Sequence, residues 1–303
     1  NVSVDGGTIK LDGNYPVGTS NVALGDAALS SLTSGIQNTA VGHQALSLNT
    51  SANNNSAFGR TALANNTTGA DNSALGVGAL GNSTTGSNNA AFGMLALNQS
   101  TTASNNTAVG YQAGFDNTTG AGITGVGYLA LANNTTANNN TGVGNYALYL
   151  NTTGAENVGI GTQALNSNTS GNYNTAQGSG ALYNNTTASY NTAVGYNTLY
   201  SNTTGAQNTA VGREAARANT TGTANVAIGQ SALTSNTTGH TNIAVGEDSL
   251  AVNTTASNNT AVGHQSLRNT TASNNTAVGY QAGYNNTTGA QNVALGYAAL
   301  ALN

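Results

Sequence analysis

The chain repeats a unit of 17 residues along almost its whole length, and this feature limits the possible fold most strongly. Each unit contains a glycine that usually follows a small and then an apolar residue, as in Ala40-Val41-Gly42, and we use that glycine to mark the register. A fixed period in this range is typical of a solenoid, in which every unit forms one coil. One step, from Gly263 to Gly279, is 16 residues long. The register glycines are Gly25, Gly42, Gly59, Gly76, Gly93, Gly110, Gly127, Gly144, Gly161, Gly178, Gly195, Gly212, Gly229, Gly246, Gly263, Gly279 and Gly296.

The unit reads N-x-A-φ-G-x-x-A-L-x-x-N-T-T-[G/A]-x-x, where φ is apolar. It is too short for a helical hairpin, because helical repeats need about 33 residues or more. Two short strands fit, one over Asn-Thr-Ala-Val-Gly and one around Ala-Leu, with Asn, Thr and Gly forming the turns between them. The sequence therefore predicts an all-β parallel β-solenoid, or β-roll, of about seventeen 17-residue coils, in which each strand pairs with its copy in the next coil.

Asparagine and threonine dominate the composition, with 50 Asn and 46 Thr among 303 residues and only 5% charged residues. In a stack of coils, every repeat position becomes a column of like residues about 4.8 Å apart. Stacked amides can hydrogen-bond along such a column without any charge. We expect hydroxyls such as Thr67, Thr84 and Thr101 either to do the same or to close turns by bonding local backbone. The predicted structural ladder contains Asn38, Asn55, Asn72 and Asn106 together with Gly42, Gly59, Gly76 and Gly110.

The first strand has two faces that both suit close packing. Alternation places Asn38 and Ala40 on one face and Thr39 and Val41 on the other. The pattern leaves open which face is the interior. A strand with two packable faces is expected when a second layer covers the face that the roll does not bury. We therefore predict that several chains associate, three being the simplest number.

The repeat is absent near the start of the chain. Residues 1–20 contain the only Lys and the only Pro, and we interpret them as an N-terminal cap or connector, followed by a repeat domain over residues 21–303. The chain stops within a repeat at Asn303. An uncovered last coil exposes strand edges, so this ending favours either a longer parent protein or end-to-end stacking of copies.

The motif N-x-A-φ-G-x-x-A resembles the head repeats of YadA-like trimeric autotransporter adhesins, and also the β-roll repeats of phage tail fibres. The opening GGTIKLDGNYPVG followed by NVALG is more similar to the fibre proteins. The resemblance covers about residues 21–303 and implies a left-handed parallel β-roll, a homotrimer and an attachment role outside the cell. The longer period and the added Asn-Thr-Thr-Gly turn depart from the autotransporter pattern, so the stalk and membrane anchor of that family are not carried over.

Charge and motif content argue against several functions. Five basic residues cannot form the positive stripe that nucleic acids require, and no run of about 18 apolar residues predicts membrane insertion.

We interpret His43, His264 and the acidic pair Glu247-Asp248 as variable surface residues rather than catalytic or metal-binding groups. Asp is too scarce for a calcium-binding repeat. The Asn-Thr-Thr triplets match the glycosylation acceptor pattern but are interpreted as turns. We thus expect no enzyme activity, no cofactor and no metal.

The sequence predicts an extracellular, non-enzymatic structural fibre or adhesin rod that holds or presents a receptor-binding surface on a virion or cell. A self-polymerising extracellular filament and an ice-binding solenoid are the alternatives. The expected partners are further copies of the chain, as a homotrimer or an end-to-end polymer, and a cell-surface receptor or glycan.

Several tyrosines at variable positions are candidates for contact with a partner. Tyrosine offers contact area and a hydrogen bond, although these side chains could instead stack between coils. The candidate receptor or interface residues are Tyr111, Tyr128, Tyr173, Tyr190, Tyr196, Tyr280, Tyr297 and His240.

Overall fold

The computed structural model describes residues 20–301, and within them the chain forms a parallel β-solenoid with one strand in each of seventeen coils. The predicted fold class is therefore confirmed. The chain divides into two compact units, of which the first ends at Gly122 and the second begins at Ile123. The predicted cap or connector over residues 1–20 lies outside the described residues except for Ser20.

Unit one contains six strands of three residues, and consecutive strands pair in parallel. Residues at the same repeat position face each other, as in the pairs Ala23 with Ala40 and Ala40 with Ala57. Parallel in-register pairing follows directly from the fixed period. The strands are β1 (Val22–Leu24), β2 (Thr39–Val41), β3 (Ser56–Phe58), β4 (Ser73–Leu75), β5 (Ala90–Phe92) and β6 (Thr107–Val109).

Unit two contains eleven strands of the same length, again paired in parallel with like positions opposite each other. The register persists across the 16-residue step, where Ala261 pairs with Ala277. The strands are β7 (Thr124–Val126), β8 (Thr141–Val143), β9 (Val158–Ile160), β10 (Thr175–Gln177), β11 (Thr192–Val194), β12 (Thr209–Val211), β13 (Val226–Ile228), β14 (Ile243–Val245), β15 (Thr260–Val262), β16 (Thr276–Val278) and β17 (Val293–Leu295).

The prediction of a second strand around the Ala-Leu pair is wrong, because this part of the coil is a series of turns. In the second coil, the Ala45 N–H donates to the Gly42 carbonyl at 3.2 Å and the Asn49 N–H donates to the Leu46 carbonyl at 3.1 Å. Leu46 itself has a φ of 50°, in the left-handed region, which an extended strand does not contain. Its N–H donates to the Ala62 carbonyl of the next coil at 3.0 Å, so the turns still link neighbouring coils.

The interior of each coil is narrow and filled with small side chains. In the second coil Asn38, Ala40, Ala45 and Leu46 are fully buried, which identifies the Asn-Ala face of the strand as the interior. Apart from Ile123, the largest fully buried side chains among residues 20–301 are all leucines, and burying one contributes about 1.5–3 kcal/mol. The fold therefore depends on hydrogen bonds between coils as well as on apolar burial.

The register glycine is required by both conformation and space. Gly42 has a φ of +134°, and a Cβ at this position would lie 2.5 Å from the carbonyl oxygen of Gly59. A conformation with this φ is accessible almost only to glycine. The column of register glycines thus allows the coils to approach one another at the end of each strand.

Candidate functional site

The first asparagine column consists of the residues four positions before the register glycines, where only Ile123 replaces asparagine, and it joins consecutive coils. Asn38 Oδ1 accepts a hydrogen bond from the Asn55 backbone N–H at 3.0 Å and a second one from Asn55 Nδ2 at 3.3 Å. Asn55 Nδ2 also donates to the Gly69 carbonyl at 2.9 Å. The same backbone-to-amide bond recurs at Asn72 and at Asn106. Both polar atoms of a buried amide are thereby satisfied, as burial requires.

A second asparagine column, seven positions after the register glycine, was not singled out from the sequence. In unit two each amide donates to the Oδ1 of the preceding coil, and the distances run from 2.7 to 3.0 Å between Asn134 and Asn253. Each also donates to the carbonyl three residues ahead, as Asn168 does to Gly171 at 3.0 Å. The frequent Asn before Thr-Thr was the available signal, but it suggested a turn rather than a buried ladder.

The predicted hydroxyl column has a different bonding pattern. Thr67 Oγ1 donates to the Thr84 carbonyl at 3.0 Å, and Thr84 Oγ1 donates to the Thr101 carbonyl at 3.0 Å. These hydroxyls thus bond the backbone of the next coil, neither one another nor their own turn. In most coils the following position carries a second hydroxyl, such as Thr68 or Thr102, whose side chain is exposed. We call these exposed residues, nine positions after the register glycine, the hydroxyl row.

The outer strand row consists of the residues immediately before the register glycines, and it presents apolar side chains to the solvent. Phe58 and Phe92 are each 40% exposed and Leu75 is 50% exposed. Contiguous exposed apolar surface of this kind marks interaction sites. Every member except Gln177 is aliphatic or aromatic: Leu24, Val41, Phe58, Leu75, Phe92 and Val109 in unit one, and Val126, Val143, Ile160, Gln177, Val194, Val211, Ile228, Val245, Val262, Val278 and Leu295 in unit two.

The candidate tyrosines lie in two rows at opposite ends of the strands. Five of them follow a register glycine directly, just past the end of a strand: Tyr111, Tyr128, Tyr196, Tyr280 and Tyr297. Tyr173 and Tyr190 instead precede a strand by two residues. All seven are exposed, from 39% for Tyr111 to 80% for Tyr297. The outer strand row therefore runs between two rows that carry exposed aromatic rings.

Several of these rings stack between consecutive coils. Tyr173 and Tyr190 are nearly parallel with centroids 5.2 Å apart, and so are Tyr280 and Tyr297. Tyr128 makes an edge contact with Tyr146 at 5.4 Å, and the hydrogen bond with Tyr128 raises the pKa of Tyr146. Tyr196 is 53% exposed and makes no ring contact with a described residue.

His240, the remaining candidate, lies on a polar column rather than beside the tyrosines. Its ring Nδ1 accepts a hydrogen bond from the Thr223 backbone N–H at 3.0 Å, and the His240 backbone N–H donates to Ser257 Oγ at 2.9 Å. Because a backbone N–H can only donate, Nδ1 is the unprotonated ring nitrogen. The ring is exposed, so the residue both links coils and faces the solvent.

Three ion pairs join neighbouring coils among the described residues. His43 Nε2 lies 3.5 Å from Asp26, His264 Nε2 lies 3.8 Å from Glu247, and Arg268 lies 3.6 Å from Asp248. Such exposed pairs contribute at most about 1 kcal/mol each. Among residues 20–301 there is no group of three or more His, Cys, Asp or Glu side chains that could hold a metal ion.

The asparagines of the Asn-Thr-Thr triplets are buried, except for Asn269, which is half-buried. Asn117, Asn151 and Asn202 are fully inaccessible, and each donates from Nδ2 to a glycine carbonyl three residues ahead. A glycan could not be attached to these nitrogens in the folded chain. The burial supports the interpretation of these triplets as structural turns.

Comparison of the chain with protein-family models, curated protein sequences and solved structures found no match. The part of the chain that the structure describes contains no helix with the length and apolar character needed to cross a bilayer. The assignment of function therefore depends on the surfaces described above.

Proposed function

We propose that this chain is the repeat region of an extracellular, non-enzymatic structural fibre or adhesin, and that three copies pack through the outer strand row. The observation that carries the proposal is the apolar character of this row in every coil except that of Gln177, with ten of the seventeen side chains exposed and apolar. Polar side chains would be expected on that face if solvent were its permanent environment. Burial of one phenylalanine or leucine of the row contributes about 1.5–3 kcal/mol.

The repeated interior supports a structural role. Amide and glycine columns recur from coil to coil, while most of the variation falls at solvent-facing positions, such as the residue after the register glycine. A scaffold of this type can present different side chains at fixed spacing along a rigid support. The sequence resemblance to surface adhesins and tail fibres agrees with such a role, and with a location outside the cell.

Assembly is tested by measuring the native mass of the purified chain by light scattering and native mass spectrometry. The expected result is a particle of three chains of 29.9 kDa each. The double variant Phe58→Asp with Phe92→Asp should dissociate it, because each carboxylate would be buried without a partner at a cost of several kcal/mol.

The matched control is Thr68→Asp with Thr102→Asp, which adds the same charges in the same two coils but on the hydroxyl row. This variant should retain the wild-type mass. A wild-type chain that stays monomeric at high concentration, or equal dissociation of both variants, would reject packing through the outer strand row.

Receptor contact by the tyrosine rows is tested separately, with Tyr196→Ser and Tyr280→Ser. Tyr196 makes no ring contact with a described residue, whereas Tyr280 stacks on His264 and Tyr297. If the rows contact a receptor, Tyr196→Ser should reduce cell binding without changing thermal stability. Loss of assembly instead would assign the tyrosines to the contact between copies.

A further inference from the structure

A groove opens on unit one along the column five positions after the register glycine. This column bears large side chains in several coils, including Phe115, Tyr183 and Tyr200. In coils two to four it shrinks to Ser47, Ala64 and Gly81, and the resulting cavity has a volume of about 440 Å³. That volume falls within the range of about 300–1,000 Å³ typical of small-molecule sites. Its lining residues are Gln44, Ser47, Leu48, Thr61, Ala64, Asn65, Gly81, Asn82 and Asn98.

The amides of the groove are held in fixed orientations by one another. Asn65 Nδ2 donates to Asn82 Oδ1 at 3.0 Å, and Asn98 Nδ2 donates to the Gly78 carbonyl at 2.7 Å. Asn82 Nδ2 in turn donates to Gln99 Oε1 at 2.9 Å. These bonds occupy amide hydrogens of Asn65, Asn82 and Asn98. Side-chain oxygens that can still accept a hydrogen bond, such as Asn65 Oδ1, therefore remain available to a ligand in the groove. Polar groups oriented in advance bind a ligand at a lower entropic cost.

The groove therefore offers an excess of acceptors and no charge. The Ser47 and Thr61 hydroxyls already donate to backbone carbonyls, at 3.1 and 2.7 Å, and keep their acceptor lone pairs. The exposed Gln44 amide makes no hydrogen bond with any described residue, and there is no charged side chain among the described residues that line the groove. Leu48, 47% exposed, adds an apolar patch at one side.

We propose that this groove binds a neutral saccharide. Sugar hydroxyls supply the donors that the amide and hydroxyl oxygens can accept, and the C–H faces of a pyranose ring fit against Leu48 and Ala64. An anionic sugar would find no cation in the lining, and a peptide would bring as many backbone acceptors as donors. This site is separate from the outer strand row and the tyrosine rows, so the inference goes beyond the proposed function and does not require assembly.

The test titrates the full chain with maltotriose, cellotriose, triacetylchitotriose and, as the anionic probe, trigalacturonic acid, followed by saturation-transfer NMR and calorimetry. At least one neutral trisaccharide should bind with a Kd near or below about 1 mM. Ala64→Tyr fills the groove with a side chain that the same column carries at Tyr183, and should weaken binding by about tenfold or more. Gln44→Met should weaken it to a smaller extent.

Matched controls come from the same columns of unit two. Thr234→Tyr and Gln163→Met place the same side chains at equivalent positions away from the groove, and should leave the affinity unchanged within about twofold. No binding of any neutral probe at about ten times that Kd, equal loss in Thr234→Tyr, or tighter binding of trigalacturonic acid would overturn the proposal. Native mass, measured on the same samples, reports on assembly independently.

Discussion

The two units use the same repeat but satisfy their buried amides differently. In unit two the second asparagine column is unbroken from Asn134 to Asn253, with amide-to-amide bonds of 2.7 to 3.0 Å. In unit one serine replaces asparagine at Ser83 and Ser100. Their hydroxyls, and Asn66 Oδ1 beside them, are buried without a hydrogen-bond partner among the described residues.

This difference shows that the hydrogen bonding of a column depends on identical residues in adjacent coils rather than on average composition. Asparagine has a donor and an acceptor far enough from the backbone to reach the next coil, whereas the serine hydroxyl is too short to reach Asn66 Oδ1. The 16-residue step has the same effect in unit two, where Thr270 replaces asparagine and the Thr270 hydroxyl and Asn253 Oδ1 have no partner among the described residues. Each such orphaned atom costs about 1–3 kcal/mol.

The largest expected effect concerns the feature that both units share. Gly59→Ala in unit one and Gly195→Ala in unit two would place a Cβ 2.5 and 2.6 Å from the next coil's carbonyl oxygen, in a backbone conformation that alanine avoids. Each should destabilise its unit by about 4 kcal/mol or more, measured by native-state hydrogen exchange at the strand amides.

The matched control for these variants is Gly125→Ala, at a strand position that is alanine in most coils. A Cβ there would lie 3.3 Å from the nearest atom, the Ala130 carbonyl oxygen, so a shift of a few tenths of an ångström would accommodate it, and this change should cost far less than Gly59→Ala or Gly195→Ala. If Gly125→Ala were as damaging as Gly195→Ala, the close approach of register glycines could not be the cause.

The second-largest expected effect is a loss of stability that should differ between the two units. Asn185→Ala removes the bonds to Asn168 Oδ1 and from Asn202 Nδ2, and should destabilise unit two by about 2 kcal/mol. Ser100→Ala deletes a hydroxyl that has no partner among the described residues, and should leave unit one unchanged or slightly more stable. Hydrogen exchange at β11 and β5 measures the two effects, and equal losses would show that the units do not differ in this column.

A gain of stability should follow when unit one is made to resemble unit two. The double variant Ser83→Asn with Ser100→Asn would restore amides between Asn66 and Asn117. Each new bond should contribute about 1 kcal/mol, which slower exchange at β4 and β5 would report. A loss of stability would mean that unit one is too tightly packed for the larger side chain.

The smallest effect concerns a single carboxylate of unit one. Burial raises the pKa of Asp116 above its ordinary value of 3.8. When the pKa of a carboxyl group is higher in the folded than in the unfolded chain, the folded state loses stability as the pH rises from the unfolded pKa towards the folded pKa. Because solvent screens this partly exposed carboxylate, Asp116→Asn should stabilise unit one only slightly at pH 7, by at most about 0.5 kcal/mol, with no gain well below the ordinary pKa. A gain that is independent of pH would contradict this explanation.

Much of the fold could be predicted because a fixed period forces like residues together. The parallel register, the glycine column and the amide column of Asn38 and Asn55 all follow from stacking identical units. The interior face could not be assigned, because alternation alone makes Val41 as suitable for packing as Ala40. The left-handed φ of Leu46 could not be predicted from the sequence either, because leucine avoids that region unless the surrounding coil imposes it.

The candidate surfaces were predictable to a lesser degree. Tyr196 and Tyr173 could be recognised as variable positions, but stacking between Tyr173 and Tyr190 depends on rotamers that the sequence does not specify. The groove was missed because it arises from the small size of Ala64 and Gly81 relative to other members of their column. A cavity of this kind is a property of several coils together, and no single repeat encodes it.

The most direct test of the account is a double-mutant cycle in the second asparagine column of unit two, measured by native-state hydrogen exchange. Asn168 and Asn185 belong to adjacent coils and share a bond of 2.8 Å, whereas Asn168 and Asn219 belong to coils three repeats apart. Alanine substitutions at the adjacent pair should show a coupling energy of about 1 kcal/mol, and those at the distant pair should add within about 0.5 kcal/mol. Absence of coupling at Asn168 and Asn185, or equal coupling at both pairs, would contradict a solenoid that is stabilised by columns of identical amides.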